Sequence, residues 1–205
     1  MADQAVRPST DVHGVPRRSW RTVDIVVTAV LGVAFGVVFW GWNLLNSTLA
    51  TPLDFFPPIQ GLLNGVYLMP GVVAGLLVRK PGAATFASTL AAAVSLLLGS
   101  PYGGIIVVYG LVQGLGAELG FLLTRYRSFG WATAVLAAAT AGLATSLLDL
   151  NLYYSKLSFL AYQLPYLLAT VVSSVLLAGV VGLLLVRALA RTGALTAFAS
   201  GRQRV

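Results

Sequence analysis

The stretch from Asp24 to Leu45 reads DIVVTAVLGVAFGVVFWGWNLL, with a charge only at its first position. About 20 mostly apolar residues are needed for a helix to cross the hydrocarbon layer, so this run is long enough to span it. The hydrophobic region of a cleavable signal is shorter, about 7–15 residues, and the first twenty residues here are polar. The stretch therefore predicts an uncleaved first transmembrane helix.

Outward from it the same pattern recurs. Gly, Pro and charged residues separate further apolar runs at about Ile59 to Val78, Ala83 to Leu98, Tyr102 to Thr124, Trp131 to Leu150 and Leu160 to Leu189. The third run is short and the sixth long. Composition agrees: of 205 residues 58% are hydrophobic and only 9% charged, with a mean hydropathy of +0.86. Soluble domains carry roughly 25% charged residues, so the deficit predicts a surface facing lipid. The expected fold is all-α, an integral membrane bundle of six transmembrane helices over residues 21–192. It is flanked by a mobile tail at 1–20 and a basic tail at 193–205.

The charges set an orientation. Arg7, Arg17, Arg18, Arg21, Arg79, Lys80, Arg125, Arg127, Arg187, Arg191, Arg202 and Arg204 all fall on one side of a six-span chain, and only Lys156 falls on the other. Basic residues favour the cytoplasmic side, so both termini are expected in the cytoplasm of a multi-pass plasma-membrane protein. An odd number of spans would scatter these charges over both faces. The net charge of +7 is thus explained by topology rather than by nucleic-acid binding.

Several chemistries are excluded by residue type. There is no cysteine and a single histidine, His13, so disulfides, thiolates and a His/Cys metal cluster are ruled out. No Walker-type loop, His-Glu-Xaa-Xaa-His pattern or Ser/His/Asp set is present. The chain is expected not to be an enzyme and to need no cofactor.

Polar residues within spans are costly in lipid and mark function. They gather in the outer halves. Gln60, Asn64, Tyr67 and Gly71 follow i, i+4, i+7 and i+11, one stripe of an α-helix. Thr145, Asp149 and Tyr153 form a second stripe, and Tyr162 and Tyr166 above Ser173 a third. Trp40, Asn43 and Asn151 lie at the same depth, as do Tyr109 and Gln113, which share a face. Converging amides and aromatic rings suit a small planar polar molecule entering from outside; an interfacial aromatic belt is the alternative for any single ring. Glu118 lies about 140° round from Gln113 and has three readings: an ion pair with Arg125, an inner wall of the site, or a coupling role. Thr28, Gly32 and Gly36 form a row of small residues that lets another helix approach, within the subunit or from a separate one.

Together the six spans, the Arg79 to Ala83 turn, the Tyr109 to Glu118 run and Arg125 to Arg127 resemble the hydroxymethylpyrimidine/thiamine-type S components of energy-coupling factor (ECF) transporters. The resemblance covers roughly residues 20 to 203. It implies a subunit that captures a vitamin or its precursor and works with a transmembrane coupling protein and separate cytoplasmic ATPases. It also implies that Thr28, Gly32 and Gly36 dock on that coupling protein, although the Ala-xxx-Ala form is not kept. The family pattern places a carboxylate near the end of the third helix, where this chain has Ser95; either Asp54 or Asp149 takes over in meeting an aminopyrimidine, or the ligand is a related ring compound. The competing readings are a self-sufficient secondary transporter and a structural subunit of a membrane complex.

Overall fold

The computed structural model describes residues 20–53 and 55–192; the expected tails, His13 and Asp54 lie outside them. The described residues form helices and no strand. Six apolar segments follow one another: α1 (Thr22–Ala50), α2 (Pro57–Val78), α3 (Ala83–Leu97), α4 (Ile105–Leu123), α5 (Trp131–Leu152) and α6 (Phe159–Arg191). Five are long and apolar enough to cross a membrane. The exception is α3, whose 15 residues reach about 22 Å at the α-helical rise. In contrast α1, with 29 residues, runs well past the expected end at Leu45.

Packing runs α1 on α3, α3 on α4, α4 on α5 and α5 on α6, while α2 passes through the middle. Every residue from Pro70 to Val78 is buried. Lipid supplies no hydrophobic drive between helices, so close approach of backbones does the holding. The fourth helix shows this on two faces. A Cβ at Gly114 would sit 2.5 Å from the Thr85 Cα on α3, and one at Gly120 would sit 2.3 Å from the Ala137 Cα on α5.

The same logic reassigns the row on α1. A Cβ at Gly32 would lie 3.0 Å from Leu90, and one at Gly36 would lie 2.5 Å from Val94. Thr28 is fully buried and donates to the Asp24 carbonyl at 2.6 Å. Gly32 and Gly36, expected with Thr28 to dock on a partner, are packed against this chain's own α3.

Two spans depart from α geometry. The first half of α2, Pro57–Leu68, is a 3-10 helix of 12 residues, far beyond the usual three or four. The last span contains π-helical turns at Phe159–Gln163 and Ser174–Val181.

At the basic end the Arg79–Gly82 turn is pinned from several directions. Trp20 Nε1 donates to the Pro81 carbonyl at 3.1 Å, and Lys80 pairs with Asp24, which is only 1% exposed. The Arg79 guanidinium lies 4.9 Å over the Phe129 ring. Glu118 accepts from the backbone N–H of Gly82 at 2.6 Å and of Thr85 at 3.4 Å, and from the Tyr126 hydroxyl. The first N–H groups of a helix have no internal partner and favour negative charge. Glu118 therefore caps α3. It does not pair with Arg125: among the described residues the ion pairs are those of Asp24 with Arg21 and Lys80.

Candidate functional site

At the end of the bundle opposite this turn, a cavity of about 190 Å³ lies between all six helices. Its walls are Phe39 and Asn46 of α1, Asn64 and Tyr67 of α2, Ala92 of α3, Ile105, Ile106, Tyr109 and Gln113 of α4, Thr145, Asp149 and Tyr153 around α5, and Tyr166 of α6, with Tyr102 from the loop before α4. Tyr102 and Tyr153 are 48% and 62% exposed and stand at the rim. Beneath it the residues Val72, Val73, Leu76, Leu77, Ala117 and Phe121 are fully buried, so apolar packing closes the route to the basic end.

One hydrogen-bond network centres on Asp149. Tyr109 donates to its Oδ1 at 2.5 Å and Tyr166 to its Oδ2 at 2.6 Å, while Asn64 Nδ2 donates to the Tyr166 hydroxyl at 2.8 Å. Four helices are tied to one carboxylate, which is 7% exposed and meets no Lys or Arg among the described residues. Burying an ionised group without an opposite charge is expensive. Nearby, in the link between α5 and α6, burial and then the Asp149 charge push the Tyr154 phenol up from its ordinary value, keeping it neutral.

A second network orients Tyr67. Its hydroxyl donates to Asn43 Oδ1 at 2.6 Å and accepts from Asn46 Nδ2 at 3.2 Å. The Asn43 amide in turn donates to Ser95 and Ser100 at 3.3 and 3.2 Å. Phe39 packs edge-on against the Tyr67 ring with centroids 5.1 Å apart. Gln113 is 6% exposed, and its amide has no hydrogen-bond partner among the described residues, leaving a donor and an acceptor at the wall.

Of the expected residues, Asn64, Tyr67, Tyr109, Gln113, Asp149 and Tyr153 come together here. Asn43 stands behind Tyr67 and holds it rather than lining the space. Trp40 is 43% exposed and does not line the cavity. Asn151 is exposed and donates to the Leu147 carbonyl of its own helix at 2.7 Å. Gln60 reaches the Ala50 carbonyl at 3.5 Å. It leaves the wall because a 3-10 helix repeats every three residues: Asn64 and Tyr67 stay in line, and a residue four before Asn64 does not. Glu118 belongs to the opposite end. Ser95, where a family carboxylate was expected, supports Asn43, and the acid of the cavity is Asp149. Tyr166 is the largest omission from the expected site, although its four-residue spacing from Tyr162 had marked the stripe. Phe39, Ala92, Ile105 and Ile106 carry no polar signal and emerge only from the packing.

The chain is similar to transport proteins along nearly its whole length. Residues 23–144 match the family described as ABC-type cobalt transport system, permease component. Over 187 residues the chain is 34% identical to the putative HMP/thiamine permease protein YkoE of Bacillus subtilis (strain 168), which spans 91% of this chain and 92% of that protein. Its structure is similar to the crystal structure of an S-component of an ECF transporter, with a TM-score of 0.84 and 35% identity over 90% of this chain and 92% of the other.

Proposed function

Because the chain belongs to the YkoE-like family of S components of energy-coupling factor transporters, we propose that it captures thiamine or a hydroxymethylpyrimidine-like compound from outside the cell for an ATP-driven importer. The observation that carries this reading is Asp149, a cavity carboxylate held by two tyrosines and meeting no Lys or Arg among the described residues. An aminopyrimidine offers it an N–H donor, and thiamine adds the positive charge of the thiazolium.

The surrounding chemistry supports the same ligand class. Tyr67, Tyr109, Tyr153 and Tyr166 line the cavity, and a cation over the face of such a ring gains about 0.5–2 kcal/mol. The Gln113 amide can pair with ring nitrogens. Pockets for drug-sized ligands measure about 300–1,000 Å³, so the 190 Å³ here favours a compact one. Apolar packing beneath the cavity argues against a pore through the subunit alone. Import then requires a transmembrane coupling subunit, with ATP hydrolysis on separate cytoplasmic ATPases. The basic end would face the cytoplasm in the plasma membrane, with both termini on that side.

Titration calorimetry of the purified protein with thiamine and with hydroxymethylpyrimidine tests the reading. Saturable binding of either is expected. Absence of binding to both, in a folded preparation, would refute it.

A further inference from the structure

The wall residues Asn64 and Tyr67, about 60° apart on an α-helix, stand directly in line because this half of α2 is a 3-10 helix, and such a long 3-10 run needs an external restraint. The restraint is visible. Ser173 of α6 donates its hydroxyl to the Leu62 carbonyl at 2.5 Å, and the same oxygen accepts from the Gly65 N–H at 3.2 Å. Leu62 and Gly65 are an i, i+3 pair, the pair that a 3-10 helix joins. In an α-helix that carbonyl would instead serve residue 66, and that N–H would seek residue 61. One hydroxyl therefore occupies both groups that α geometry would take elsewhere.

The approach leaves no room for slack. A Cβ at Gly65 would meet Ser173 Oγ at 2.4 Å and its carbonyl oxygen at 2.6 Å, and one at Gly61 would meet Thr170 Oγ1 at 2.6 Å. The contact sits beside the Ser174–Val181 π turn, where the last span changes its own register.

We propose that Ser173, which does not line the cavity, is a positioning residue for ligand binding: it clamps Pro57–Leu68 in 3-10 form and so sets Asn64 and Tyr67 on one wall. The proposal rests on the cavity being the ligand site. Released from the clamp, the segment relaxes toward α geometry. The rise falls from about 2.0 to 1.5 Å per residue, shortening 12 residues by about 6 Å, and Tyr67 turns about 60° relative to Asn64. Tyr67 then leaves the wall, and its bonds to Asn43 and Asn46 break.

The test uses the full chain, which has no cysteine of its own. Spin labels are placed at Phe55→Cys, at the outer end where the side chain is 80% exposed, and at Arg127→Cys, exposed at the basic end. Ser173→Ala is compared with Ser174→Ala, which removes a neighbouring hydroxyl bonded at 2.5 Å to the Ala138 carbonyl of α5 rather than to α2. Pulsed electron spin resonance is expected to show the interlabel distance shortened by several ångströms in Ser173→Ala alone, with thiamine or pyrimidine affinity lowered at least 10-fold. An unchanged distance in folded Ser173→Ala, or the same shift in both variants, overturns the proposal. The distance is read without ligand, so a wild-type protein that binds neither compound sinks the ligand reading, while the clamp is judged by the distance alone.

Discussion

Replacing Asp149 by Asn keeps the shape of the side chain and removes its charge and one of its two acceptor oxygens. In the native site both oxygens are engaged, by Tyr109 at 2.5 Å and Tyr166 at 2.6 Å, and a ligand amine must share or displace one of them. Hydrogen bonds to charged groups contribute about 1.5–3 kcal/mol, and about 1.4 kcal/mol is a factor of ten in affinity. Loss of one such bond therefore weakens thiamine binding by about 10- to 100-fold. Stability should move the other way, or not at all, because the variant removes a buried charge that has no counter-ion among the described residues. Calorimetry gives the affinity and thermal unfolding in detergent gives the stability. Binding within threefold of the wild type, in a variant that unfolds at the wild-type temperature, would refute the assignment of Asp149 to the ligand.

Other perturbations separate the site from its scaffold. Lys80→Ala leaves the buried Asp24 with only the half-exposed Arg21 at 3.3 Å and should destabilise by up to about 3 kcal/mol, whereas Asp24→Asn combined with Lys80→Met should recover much of the loss in the same melting assay. Gly75→Ala drives a methyl to within 2.2 Å of Phe121 Cε2, an overpacking expected to lower stability by about 1–3 kcal/mol, measured as a lower melting temperature. Trp40→Ala and Asn151→Ala touch no cavity wall, so calorimetry should find ligand affinity within twofold of the wild type.

The spans were legible because lipid imposes one rule on every segment, and the twelve basic residues against Lys156 constrain their number. The cavity wall was legible in part for a related reason: a polar residue within a span has few places to go, which picks out Asn64, Tyr67, Tyr109, Gln113, Asp149 and Tyr153. What failed was periodicity. The stripe through Gln60 assumed 3.6 residues per turn, while Ser173, over a hundred residues away, holds that segment near three. Trp40 and Asn151 have the right depth and the wrong azimuth, which is set by packing among helices distant in sequence. Glu118 is a charge in a span serving backbone donors of α3. Phe39 and Ile106 shape the cavity through volume alone, a property that composition does not register.

The pairing of Asp24 with Lys80 across 56 positions has a consequence for the birth of the protein. Synthesis delivers α1 to the translocation machinery with its carboxylate met only by the half-exposed Arg21, and the Lys80 ammonium emerges only after the whole of α2 has followed. Until then the first helix gains by keeping that end in water. Its final depth in the bilayer becomes comfortable only when the helical hairpin behind it has turned and brought Lys80 alongside.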